Sequence, residues 1–101
     1  MVRPQQYHLK RYLLRQGLVY KVIFDPSAEK EFLKLETKSQ NLVAAKIRDL
    51  KEGNFSSDKR LQGKHKGKYR KRAGNYRIVY LKENNLLLIS VIRVAHRKEV
   101  Y

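Results

Sequence analysis

The spacing of apolar residues along this 101-residue chain changes several times, and each change marks an element. Residues 19–24, VYKVIF, are apolar and largely β-branched apart from Lys21, which is the composition of a strand. Asp25-Pro26-Ser27 ends that strand and opens a helix. The aspartate can accept from free N–H groups at a helix start, and proline suits the first helical position. Ala28, Phe32 and Leu35 then recur at i, i+4 and i+7, one face of a helix. Ser39 offers the next cap. Val43, Ile47 and Leu50, with Leu42 and Ala44 beside them, form a second apolar stripe that Gly53 stops. Two helices joined by so short a link make a helical hairpin. Residues 54–67 are polar and contain glycine, which predicts a loop. Strand patterns follow at 68–72, 76–82 and 86–94, separated by Ala73-Gly74-Asn75 and Glu83-Asn84-Asn85. The predicted order is β-α-α-β-β-β, in one domain over residues 19–101. Residues 1–18 form a basic extension whose apolar residues are Tyr7, Leu9, Tyr12, Leu13 and Leu14. It reads either as a short helix over about 7–15 that docks on the domain or binds RNA, or as a frayed tail.

Charge changes this picture from a generic small domain to one built for a polyanion. Lysine and arginine number 24 against 9 acids, a formal net charge of +15. Seven of the acids lie between Asp25 and Asp58, whereas the stretch from Lys59 to Lys82 holds ten lysines and arginines and no acid. Such a run repels itself, so folding alone does not explain it. Phosphates bind lysine and arginine, and Tyr69, Tyr76 and Tyr80, interleaved with the charges, are ring surfaces on which unpaired bases stack. Other chemistries drop out. The chain has no cysteine, so disulfides and thiolate metal sites are excluded. Its three histidines are scattered without metal-ligand spacing, so neither metal nor cofactor is expected. No apolar run approaches the roughly 20 residues that span a bilayer. Lys10, Arg11 and Arg15 break up the apolar residues near the N-terminus, so a cytoplasmic protein without membrane association is expected.

Strand alternation sorts the cations by face. Lys68, Arg70 and Arg72 fall on one face, Tyr69 and Lys71 on the other. A two- or four-residue turn brings Arg77 to the face of Arg70 and Arg72; a three-residue turn sends it to the opposite one. Like charges facing each other across a ladder destabilise a sheet. The same clustering suits gripping a phosphodiester and stabilising charge that develops on it. Lys64, Lys66, Lys71, Arg72 and Arg93 are the expected RNA-binding cations around this centre. His96 lies close to both a strand end and an arginine cluster, where its titration range suits proton transfer.

The segments YKVIFDPSAEKEFLKL, LQG at 61–63, KYRKRAGNYRIVY at 68–80 and VAHRKEVY at 94–101 resemble toxins of the RelE/ParE superfamily, most of all its RelE-like branch. The resemblance covers about four fifths of the chain. It implies an α+β fold, an antiparallel sheet core with a helical hairpin packed on one face. It also implies a type II toxin–antitoxin toxin that cuts messenger RNA in the ribosomal A site without metal, by attack of the 2′-OH on the neighbouring phosphorus. An acidic antitoxin is the implied protein partner, and operator DNA would be met only through the antitoxin complex. By motif, Lys68 and Arg70 match the family's basic pair, Arg77 its Tyr-Arg arginine, Arg97 the arginine after the last strand and Tyr101 the tyrosine of the Glu-Val-Tyr ending. His96 falls where some members carry histidine. Tyr101 and His96 both remain candidates for the general base. Two other readings stand beside this one: a ParE-like poison of DNA gyrase with no RNA-cutting site, and a non-catalytic basic RNA-binding protein.

Overall fold

The computed structural model describes residues 20–99. The basic extension, the helix expected over 7–15, and Tyr101 lie outside the described residues. Strand β1 is Lys21–Phe24, helix α1 Pro26–Leu33, helix α2 Thr37–Lys51, and strands β2 to β5 are Lys59–Arg60, Tyr69–Ala73, Tyr76–Glu83 and Leu88–His96. The five strands form one sheet in the order β1-β5-β4-β3-β2. The two helices cover one of its faces, giving the expected α+β fold with a helical hairpin.

The sheet is antiparallel except where β1 lies parallel to β5, Lys21 opposite Leu88 through Phe24 opposite Val91. Parallel neighbours need a long crossover, and here the whole helical hairpin and the β3–β4 hairpin lie between them in sequence. Residues 54–67, expected as loop, also contain the short edge strand β2 and a 3₁₀ turn at Gly63–His65. Asp25 opens α1 through its backbone, its carbonyl accepting from Glu29 N–H at 2.9 Å, and not through its side chain. Helix α2 starts at Thr37, ahead of the expected cap Ser39, and α1 ends at Leu33, before Leu35.

Ala28, Val43 and Leu50 of the helices pack on Ala73, Ile78, Tyr80, Ile89, Val91 and Val94 of the sheet. The inward set on β5 changes parity between Val91 and Val94. A β-bulge explains the change: Val79 faces Arg93 but Tyr80 faces Val91, leaving Ile92 as the extra residue. Ile92 therefore joins Leu61, Val79 and Ala95 in a small apolar cluster on the outer face. Strand β1 ends opposite Val91, and Glu31 of α1 takes over the edge of β5 beyond it. Its carboxylate accepts from Val94 N–H at 2.8 Å and from Arg93 Nη2 at 2.8 Å.

Under the hairpin lies a polar cluster. Lys71 is 5% exposed, and its ammonium donates to Asp58 Oδ1 at 2.9 Å. The hydroxyl of fully buried Tyr80 donates to Asp58 Oδ2. Burial first, then the Asp58 carboxylate, pushes the Tyr80 phenol far above the usual tyrosine range, so it remains a neutral donor.

Candidate nucleic-acid interface

The β3–β4 turn sets the geometry of the basic face. It contains two residues, Gly74 and Asn75, and places Arg72 opposite Arg77 and Arg70 opposite Val79. Gly74 makes this turn at φ +61°, a left-handed conformation that suits glycine. A Cβ there would also stand 2.6 Å from Leu42 Cδ2 of α2. Arg70, Arg72 and Arg77 thus share the outer face, away from the helices. Strand β2 adds Lys59 directly opposite Arg70. On β4 the outer face also carries Glu83, at the end of the strand remote from Arg77.

Arg77 is held in place. Its Nη1 donates to the carbonyls of Gly74 at 2.8 Å and Tyr76 at 2.9 Å. The backbone N–H of Arg97, one residue past β5, donates to Asn75 O at 2.7 Å, which ties Arg97 to the same turn. Lys68 immediately precedes β3, and its carbonyl accepts from Leu61 N–H at 2.9 Å. Arg72 also borders a polar, mixed-charge cleft of about 300 Å³ beside α2, whose lining includes Lys46, Asp49, Asp58 and Lys71. Lys64 and Lys66 are exposed just ahead of β3.

Other sequence candidates fall elsewhere. Lys71, expected among the RNA-binding cations, is not on the outer face: it points under the sheet into the ion pair with Asp58, with its side chain 6% exposed. Arg93 is engaged by Glu31, with its Nη1 on the carbonyl of Glu99. His96 is paired with Tyr76, so it lies on the helix side of the sheet while the adjacent Arg77–Ala95 pair faces outward. Its ring meets Tyr76 edge-on at 5.7 Å, and its Nδ1 accepts from Lys98 N–H at 3.2 Å. Tyr69, Tyr76 and Tyr80 do not offer open stacking surfaces on the basic face, because all three lie on the helix side of the sheet. Tyr80 is buried, with Tyr69 stacked on it at 5.6 Å and Phe55 at 6.2 Å. Lys82 lies 4.0 Å above the Phe55 ring.

Residues 22–101 match the model of the family described as ParE toxin of type II toxin-antitoxin system, parDE. The chain belongs to this family. No curated protein matches the sequence. Among solved structures, a chain of the intact E. coli RelBE toxin–antitoxin complex is 28% identical with a TM-score of 0.62, covering 76% of this chain and 95% of its own length. The archaeal RelE–RelB complex from Pyrococcus horikoshii OT3 is matched at 19% identity, TM-score 0.68, over 81% of this chain and 99% of the other. A YoeB/ParE toxin from Agrobacterium tumefaciens is matched at 18% identity, TM-score 0.66, over 75% and 96%. These relatives place the chain in the RelE/ParE toxin superfamily, with RelE-like folds among its structural neighbours.

Sequence reasoning missed two residues of this region. Lys59 belongs to the outer face through a two-residue strand too short to carry a periodic signal. Asp58 organises the underside of the hairpin. Its one sequence signal is its position as the last acid before the cationic run.

Proposed function

We propose that the outer face of the β3–β4 hairpin grips and cleaves messenger RNA in the ribosomal A site, and that an acidic antitoxin restrains it. The observation that carries this reading is the convergence of Lys59, Arg70, Arg72 and Arg77 on one face, with the Arg97 backbone tied to the same turn. Like charges so placed oppose folding, and a bound phosphodiester relieves that repulsion. The chemistry is transfer of the phosphoryl bond within the RNA. The 2′-oxygen, giving up its proton, attacks phosphorus and the 5′-oxygen leaves with a proton, yielding a 2′,3′-cyclic phosphate. Arg77 and Arg97 stabilise charge on the phosphorane, because arginine holds its proton too tightly to act as the base. The bonds from Arg77 to the turn carbonyls favour this role, since a preorganised donor needs little rearrangement as charge develops. Lys68 and Arg70 clamp the neighbouring phosphate. Lys64, Lys66 and Arg72 extend the cationic track. Proton transfer falls to Tyr101 or His96, and the location of His96 on the helix side of the sheet favours Tyr101. No metal enters this scheme.

The antitoxin is inferred from the family and from the chain's formal net charge of +15, for which an acidic chain is the electrostatic complement. A second reading, inhibition of DNA gyrase, is favoured by the ParE family match. Translation in a purified system, with mapping of messenger RNA ends, tests both. Cuts within the A-site codon are expected. Inhibition without cuts overturns the nuclease reading, and intact translation with inhibited gyrase selects the second.

A further inference from the structure

The helix layer carries an apolar groove unrelated to the basic face. It lies between α1 and α2, has a volume of about 430 Å³, and is lined by Phe24, Phe32, Leu33, Ala44 and Ile47. A cavity of about 150 Å³ already admits a benzene ring, so this groove takes more than one large side chain. Leu33 is 64% exposed along it. In so cationic a protein, an apolar groove with an exposed leucine invites an occupant.

We propose that the occupant is the chain's own segment Tyr7–Leu14. The path is short. The N–H of Tyr20 donates to the carbonyl of Lys51 at 3.0 Å, and Lys51 lines the end of the groove. Tyr20 is thus tied to a residue that lines the groove. Along α2, Ile47 and Ala44 lie about 6 and 10 Å back from Lys51 at the helical rise. Leu13 and Leu9 precede Tyr20 by 7 and 11 residues, which gives ample reach. Leu9, Tyr12 and Leu13 fall at i, i+3 and i+4, the spacing that presents one apolar ridge to a groove. These residues precede the family match, which begins at residue 22. A segment docked there would meet Glu29 of α1, which complements the charges of Lys10 and Arg15, and Arg48 and Lys51 of α2, which oppose them. Apolar burial must carry the docking, and salt, by screening the repulsion, strengthens it. A segment bound to RNA would respond in the opposite sense, since phosphate contacts weaken steeply with salt. This inference is independent of the reading of the outer face.

The absence of cysteine makes the test clean. The purified free chain carries Leu13→Cys with Leu33→Cys, and a control chain carries Leu13→Cys with Leu86→Cys. Leu86 is 66% exposed and lies beside the same junction, because Lys21 N–H donates to Leu87 O at 2.8 Å. A disulfide requires Cα atoms within roughly 7 Å of each other. Under mild oxidation the groove pair is expected to close within the monomer at least about tenfold faster than the control, and no slower in 1 M salt. Adding Leu9→Glu is expected to return the groove pair to the control rate. Equal rates for the two pairs, a cross-linked dimer in place of the monomer, loss of cross-linking in high salt, or indifference to Leu9→Glu would each overturn the proposal.

Discussion

The two sides of the β3 strand put the same kinds of side chain to opposite uses. Lys71 points under the sheet, where Asp58 and Tyr80 complete its environment and its charge is neutralised. Arg70 and Arg72, one position to either side, point outward to join Arg77 and Lys59. A cation paired with a buried acid is part of the fold. Cations gathered on the outer face of the sheet lie outside that buried pair. Composition does not separate the two cases; strand parity and the reach of one loop carboxylate do.

The largest expected effect breaks the buried side. Asp58→Ala leaves the Lys71 ammonium buried without its acid, which should cost about 3–5 kcal/mol. Denaturant unfolding reads that loss, while cleavage per folded molecule should stay near wild type. Next comes the turn that both sides share. Gly74→Ala forces a side chain to φ +61° against Leu42, and should cost about 1–3 kcal/mol. Leu42→Ala in that background relieves the contact but not the backbone strain, so it should restore only part of the stability.

A pH experiment sharpens the comparison. The Tyr80 phenol is raised above the ordinary tyrosine value of 10.0 by burial and by Asp58. Its contribution is fully present below pH 10 and is lost as pH rises above it, because the unfolded chain releases that proton first. The loss should approach about 1.4 kcal/mol per pH unit. Tyr80→Phe should remove this alkaline limb and cost about 1 kcal/mol at neutral pH for the missing hydrogen bond. The smallest effect is expected from deleting residues 1–18, which should leave messenger RNA cleavage within a few-fold of the full chain. A hundredfold loss with folding intact would place the segment on the active surface.

Much of the fold was legible in the sequence because its signals are local. The stripe Val43-Ile47-Leu50 and the breaks at Pro26, Gly53 and Gly74 locate the helical hairpin and the β-hairpin, and alternation separates Arg70 and Arg72 from Lys71. The length of the turn, and with it the side taken by Arg77, has no local signal: Ala73-Gly74-Asn75 suits a turn of two, three or four residues. The parallel β1–β5 pair rests on contacts between residues more than sixty positions apart, which leave no periodic trace. The bulge at Ile92 hides inside a run of apolar residues, where a change of parity cannot be seen. For the same reason the strand pattern did not show that His96 falls on the helix side. The pairing of Lys71 with Asp58 has no sequence signal either, because the two lie thirteen residues apart and meet through a loop whose course only the fold reveals.

The central claim is that the outer face of the hairpin acts on the transition state of RNA cleavage. The measurement that tests it most directly is single-turnover cleavage on programmed ribosomes, at saturating protein, for Arg77→Ala and Arg97→Ala. Each substitution removes one cationic donor from the developing phosphorane charge, and each should slow the chemical step by roughly a hundredfold to a thousandfold, about 3–4 kcal/mol. Ribosome binding rests on many basic side chains and should weaken only modestly. Rates that return to wild type at saturating protein would make both arginines binding contacts and contradict the account.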